Sequence, residues 1–195
     1  KIRRRGVTNQ TFVKCLYLIL KQEESKFLIL NKMEGNELNG KMKGAVDIDD
    51  TLFEFYAPFF IFFSLKHGIK ADVNSFRTHQ LEKALNIPGD IVMAGVFDFY
   101  KSPQFARLKP VKGAVYSTSQ LSKKFNLGVI TSRPDFIRDV TLDSLERHFP
   151  KRFSDVHFTS TFGGNGHREK KSEYCKDHNY SFIIEDVAEY SNECR

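Results

Sequence analysis

Four short apolar runs, separated by stretches of helical character, constrain this chain more than any other feature. They cover residues 45–48 (Ala-Val-Asp-Ile), 127–130 (Leu-Gly-Val-Ile), 156–159 (Val-His-Phe-Thr) and 181–184 (Ser-Phe-Ile-Ile). Runs this short cannot make helices but suit strands covered on both faces. Between them the chain reads as helix. Pro110-Val-Lys-Gly113 opens one helix running to about Phe125, with proline near the first turn, where its missing N–H is not needed. Asp135 is expected to cap another, ending near His148. A short helix over 171–178 precedes the last run, and 161–167 is a Gly-rich loop. Strands alternating with helices argue for an α/β fold, a parallel sheet with helices on both faces.

Residues 53–109 interrupt that alternation. The block is helical in character, rich in phenylalanine, and broken at Gly68, at 86–89 (Asn-Ile-Pro-Gly) and at Ser102-Pro103. Its aromatic residues Phe53, Phe55, Tyr56, Phe59, Phe60, Phe62 and Phe63 are expected in a core, because a helical insertion must bury one face. One or two near Phe53 are candidates to stack on a base or sugar.

Composition excludes several classes. The net charge of +6 is concentrated in residues 1–41, which hold nine Lys/Arg against four Asp/Glu, while the rest holds 21 against 20. A basic face on the main domain is therefore not expected, nor is nucleic acid as a partner. No apolar run approaches the roughly 18–20 residues needed to cross a bilayer. Three scattered cysteines, Cys15, Cys175 and Cys194, suit neither a disulfide framework nor a zinc site, and reduced cysteines point to a cytoplasmic location. The six histidines show no ligand spacing. Met42 resembles a start, so residues 1–41 are read as a basic N-terminal extension outside the catalytic fold, which then spans 42–195.

In a parallel α/β sheet, ligands bind beyond the carboxyl ends of the strands. The first run ends in Asp47, Asp49, Asp50 and Thr51; the second in Thr131, Ser132 and Arg133; the fourth in Glu185 and Asp186. Lys170 and Lys171 open the helix before the fourth. These residue types suit phosphoryl transfer. One carboxylate can attack phosphorus, and a second, two residues along, points to the same side and can move protons. Carboxylates facing a phosphate need a cation between them, and Mg²⁺ suits an all-oxygen site. A lysine and a hydroxyl can hold the transferring oxygens. Arg133 reads equally as a substrate contact or a structural ion pair.

The order of these motifs resembles the haloacid-dehalogenase-like superfamily of phosphohydrolases: Asp47-Ile-Asp49-Asp50-Thr51, then a strand ending in Thr131, then Lys171 or Lys170, then Glu185-Asp186. The resemblance implies a Rossmann-like parallel sheet with a small helical cap inserted after the first strand, at about 57–108. It implies Asp47 as nucleophile and metal ligand. Asp49 becomes the general acid/base and a ligand through its backbone carbonyl. Asp186 and Glu185 complete the magnesium site, and Thr51, Thr131, Ser132 and Lys171 contact phosphate. Lys171 is preferred to Lys170 because Lys171-Ser-Glu-Tyr-Cys175 is similar to the usual helix start. The runs Pro110-Val-Lys-Gly-Ala114 and Ile-Thr-Ser-Arg-Pro134 resemble the 5'-nucleotidase (deoxyribonucleotidase-like) branch, which implies a small phosphorylated substrate, a nucleoside monophosphate first. The resemblance also implies a further helix and strand after Asp186, where nine residues remain. The C-terminal elements are accordingly expected to be missing.

Overall fold

The structure, a computed structural model, describes residues 41–69, 87–160 and 169–186. The expectations for residues 1–40, for the Gly-rich run 161–167 and for the chain after Asp186 lie outside the described residues. Four strands form one parallel sheet: β1 (Lys43–Val46), β2 (Asn126–Pro134), β3 (Val156–Ser160) and β4 (Phe182–Ile184), in the spatial order β3-β2-β1-β4. β1 is interior, with Val46 opposite Val129 on one side and Ile184 on the other.

Side chains alternate across this sheet, and both faces are covered. On one face Val46, Leu127, Val129 and Ile184 join the main core, which takes in Leu121 of α3 (Ala114–Lys124) and Leu145 of α4 (Arg138–His148). On the other, Ala45, Ile130 and Ile183 pack with Cys175 of α5 (Lys171–Asp177). Each large side chain so buried contributes about 1.5–3 kcal/mol. Gly44 is needed where β1 meets β4: the Phe182 ring lies across it, and an added Cβ would fall 2.2 Å from the ring. The parallel α/β sheet is thus the one the strand spacing implied, and its Rossmann-like form the one the resemblance implied.

Helices α1 (Tyr56–His67) and α2 (Gly89–Tyr100) lie between β1 and β2 in the chain. Phe55, at the N-cap of α1, has no side-chain oxygen to offer. The Asp50 carboxylate supplies the cap instead, accepting the N–H groups of Phe55 at 2.9 Å and Tyr56 at 3.1 Å. At the other end Gly68 adopts φ 65°, closing the helix in the left-handed region. α1 and α2 meet through aromatic rings; Phe55, Phe59 and Phe99 lie edge-on or stacked at 5.5–6.0 Å. The two connections flanking this pair are tied together. Glu54 N–H donates to Lys109 and Val111 N–H to Leu52, both at 2.9 Å. Among the described residues no helix is long and apolar enough to cross a membrane.

Two boundaries differ from expectation. β2 does not stop at Ile130 but continues to Pro134, because β3 still offers partners there: Thr131 faces Phe158 and Pro134 faces Ser160. This moves the helix start. Asp135 opens a 3-10 turn (Asp135–Ile137), and α4 is preceded by Ile137 with no side-chain cap. Asp135 instead pairs with Arg138, one turn on, at 3.1 Å from its Nε.

Candidate active site

Asp47 directly follows β1. Its N–H donates to Ile184 O at 2.9 Å, so its backbone still belongs to the sheet while its side chain, 7 % exposed, faces the carboxyl edge. Glu185 and Asp186 follow β4 in the same way. The carboxylates of Asp47, Glu185 and Asp186 bring oxygens within 4.8 Å of one another. Lys171, first residue of α5, reaches into this group, with Nζ 2.6 Å from Asp47 Oδ1 and 2.7 Å from Glu185 Oε2. Lys170 stays exposed at the helix N-cap. The lysine among the carboxylates is therefore Lys171.

The electrostatics follow from crowding and burial. Burial pushes the Asp47 carboxyl up to about 7; Lys171 opposes this, while Glu185 and Asp49 add to it. Glu185 and Asp186 are also raised to about 7, again chiefly by burial. Burial alone would lower the Lys171 ammonium, but Asp47 and Glu185 outweigh it and hold the group above its ordinary value. One cation among two buried carboxylates and a half-buried third leaves negative charge uncompensated. An all-oxygen donor set with that surplus fits a hard divalent cation such as Mg²⁺.

The other expected residues are placed as follows. Asp49 is gripped by Arg133, whose Nη2 lies 2.6 Å from Oδ1 and whose Nε lies 3.2 Å from both oxygens. Thr131 is 1 % exposed and its Oγ1 accepts the Arg133 N–H at 3.2 Å. Thr51 is buried, and among the described residues its Oγ1 has no hydrogen-bond partner. Ser132 is exposed, with Oγ 3.5 Å from Thr159 Oγ1, and does not share the buried environment of Thr131. Phe53 is fully buried against His148 and Phe149, so it is core and not a stacking platform.

Sequence reasoning placed Tyr56 among the core aromatics, one or two of them near Phe53 being stacking candidates, and did not single out Tyr100. Burial, then the charges of Asp186, Asp50, Asp49 and Asp47, hold the Tyr56 phenol above its ordinary value, which places it beside the acidic cluster. Tyr100 is raised by burial and next by Asp49. They stand at the first position of α1 and the last of α2. In a block so rich in phenylalanine, nothing in the sequence separates these two rings from core residues.

No protein-family model matches the chain, and no curated protein matches it. Solved structures do. A haloacid dehalogenase-like family hydrolase from Streptococcus pneumoniae superposes with a TM-score of 0.56 at 14% identity, covering 80% of both chains. A protein described as a predicted phosphatase from Clostridium acetobutylicum gives 0.56 at 17% identity, covering 79% of each chain. A class C acid phosphatase from Bacillus anthracis, solved with tungstate bound, gives 0.51 at 16% identity over 93% of this chain and 63% of the other. At such identities the likeness concerns architecture: the chain has the haloacid-dehalogenase-like fold.

Proposed function

We propose that this protein is a magnesium-dependent phosphomonoester hydrolase working through an aspartyl-phosphate on Asp47. One observation carries the reading: a buried carboxylate at the end of a central strand, held by a lysine and flanked by two further acids that fit a divalent cation. Tungstate is a tetrahedral oxyanion like phosphate, and the structural neighbour that binds it is named a phosphatase.

Asp47, Glu185 and Asp186, with the Asp49 carbonyl, would hold Mg²⁺, which when bound neutralises charge on the phosphoryl oxygens. Asp47 attacks phosphorus through a carboxylate oxygen as the bond to the ester oxygen breaks. Asp49 gives its proton to the departing alkoxide. It then takes a proton from water as that water attacks the acyl phosphate, releasing inorganic phosphate and restoring the Asp47 carboxylate. Lys171 keeps Asp47 oriented and, with Thr131, offers donors to the phosphoryl oxygens. Thr51, two residues after Asp49, has a buried hydroxyl with no partner among the described residues.

In this reading the helical insertion at about 57–108 is a cap that selects the leaving group. Tyr56 and Tyr100 at its edge suit a sugar or base, which favours nucleoside monophosphates over other small phosphorylated metabolites. Release of phosphate from a panel of phosphomonoesters, with and without Mg²⁺, tests the proposal. Magnesium-dependent turnover with nucleotides ahead is the expected result. No turnover of any ester refutes the activity, and preference for a sugar phosphate refutes only the substrate class.

A further inference from the structure

We infer that Arg133 is the positioning residue for the proton-transfer carboxylate Asp49, fixing the angle at which that group meets the leaving oxygen. The inference rests on the reading of Asp49 as general acid/base given above.

The geometry is a fork. Nη2 holds Oδ1 at 2.6 Å while Nε spans both oxygens at 3.2 Å, so the carboxylate is constrained in plane as well as in place. Arg133 is itself immobilised, with its side chain 2 % exposed. Nη1 donates to Thr141 Oγ1 of α4 at 3.2 Å. The guanidinium lies 4.8 Å from the Phe105 ring centroid and 6.0 Å from that of Phe53. Phe53 precedes the helical insertion and Phe105 lies near its end, so residues at both ends of the insertion pack against the cation. A guanidinium this buried requires an acceptor, and Asp49 Oδ1 takes both Nη2 and Nε whether or not Oδ2 carries the proton, which tethers Asp49. The Asp49 side chain nevertheless stays 25 % exposed, which leaves it open toward a substrate.

The bland alternative is that the pair only fastens α4 and the insertion to the nucleophile loop. The two readings differ in what happens to the leaving group. A misplaced acid slows departure of a poor leaving group but hardly affects one that departs as a stable anion. An offset of about 1 Å costs on the order of 10²-fold.

The test compares kcat/KM, which reports steps up to leaving-group departure, for an alkyl phosphate and for 2,4-dinitrophenyl phosphate. Arg133→Lys keeps the charge but loses the fork. The expected result is a fall of about 10–100-fold on the alkyl ester and at most about 3-fold on the dinitrophenyl ester. The ratio of the two rates comes from one preparation, so a loss of folded protein cancels. In an Asp49→Asn background Arg133→Lys should leave that ratio unchanged. An equal loss on both esters, a complete loss on both, a gain on the alkyl ester, or a further change of ratio in the Asp49→Asn background overturns the inference. Wild-type protein that hydrolyses neither ester removes the phosphatase reading, and the inference with it. Activity in which Asp49→Asn shows no leaving-group dependence removes the role of Asp49 while leaving the nucleophile intact.

Discussion

Lys171 Nζ donates to Asp47 Oδ1 at 2.6 Å across 124 positions of chain. The contact fixes how α5 meets the sheet as well as how Asp47, the proposed nucleophile, is aimed. Both side chains are under 10 % exposed, at 9 % and 7 %. Removing the cation would leave Asp47 and Glu185 facing each other without it. Lys171→Met should lower kcat by about 10²-fold or more. It should also cost about 3–5 kcal/mol in urea unfolding at pH 8. At pH 5, where the carboxyls are protonated, the stability loss should be much smaller.

The three raised acids set a pH dependence for the metal-free protein. Each carboxyl binds its proton more tightly when folded, with values near 7 for Asp47, Glu185 and Asp186. Between roughly pH 4 and pH 7 the folded state therefore holds more protons than the unfolded state, and stability falls as pH rises. In EDTA the melting temperature should drop by about 4 °C or more from pH 5 to pH 8. Mg²⁺ should reverse that drop at pH 8 and have little effect at pH 5, where protons compete for the same oxygens. A melting temperature that is flat in EDTA over this range would contradict the crowding of these groups.

Asp47→Asn removes the proposed nucleophile and one of the crowded charges together. Turnover should fall below detection. The unfolding midpoint in EDTA at pH 8 should be no lower than that of wild type, because a buried carboxylate disfavoured at that pH is gone. Circular dichroism and phosphate release on the same sample check both halves.

Asp50 combines two demands: its φ is 55°, and its carboxylate caps α1. Alanine meets neither, so Asp50→Ala should cost about 2–3 kcal/mol. Glycine restores the backbone freedom, and asparagine keeps both the left-handed tolerance and an acceptor. The expected order of stability in thermal melts is wild type, then Asn, then Gly, then Ala.

Gly95 is where α2 comes close to α1. A Cβ there would lie 2.4 Å from the Phe63 ring. Gly95→Val should separate the helices at a cost of about 1–3 kcal/mol in chemical denaturation, and trimming Phe63 to leucine should recover part of it.

The sheet was legible because its strands are short, apolar and each ended by a polar group; Val46, Ile130 and Ile184 needed only their neighbours to be read. Asp47, Lys171 and Glu185, weak signals singly and strong only by their order at strand ends, converge for the same reason: the topology carries each to one edge. What stayed illegible depends on distant pairing. Arg133 meets Asp49 across 84 positions, and nothing local separates that contact from a surface ion pair. Asp50 reads as another acid of the cluster, since its task as helix cap appears only once the chain turns back at Phe55. Asp135 misled because a β2 ending at Ile130 would have made it a helix start; pairing with β3 carried the strand on to Pro134.

The interior place of β1 has a temporal consequence. β1 is the first described strand in chain order, yet its neighbour β4 is the last described strand to emerge. Until residues 182–186 appear, one edge of β1 has no strand beside it and Asp47 lacks Glu185 and Asp186. Helix α5 with its lysine arrives only shortly before. Among the described residues, the four-strand sheet and the Asp47, Glu185 and Asp186 cluster are therefore both completed by the docking of β4.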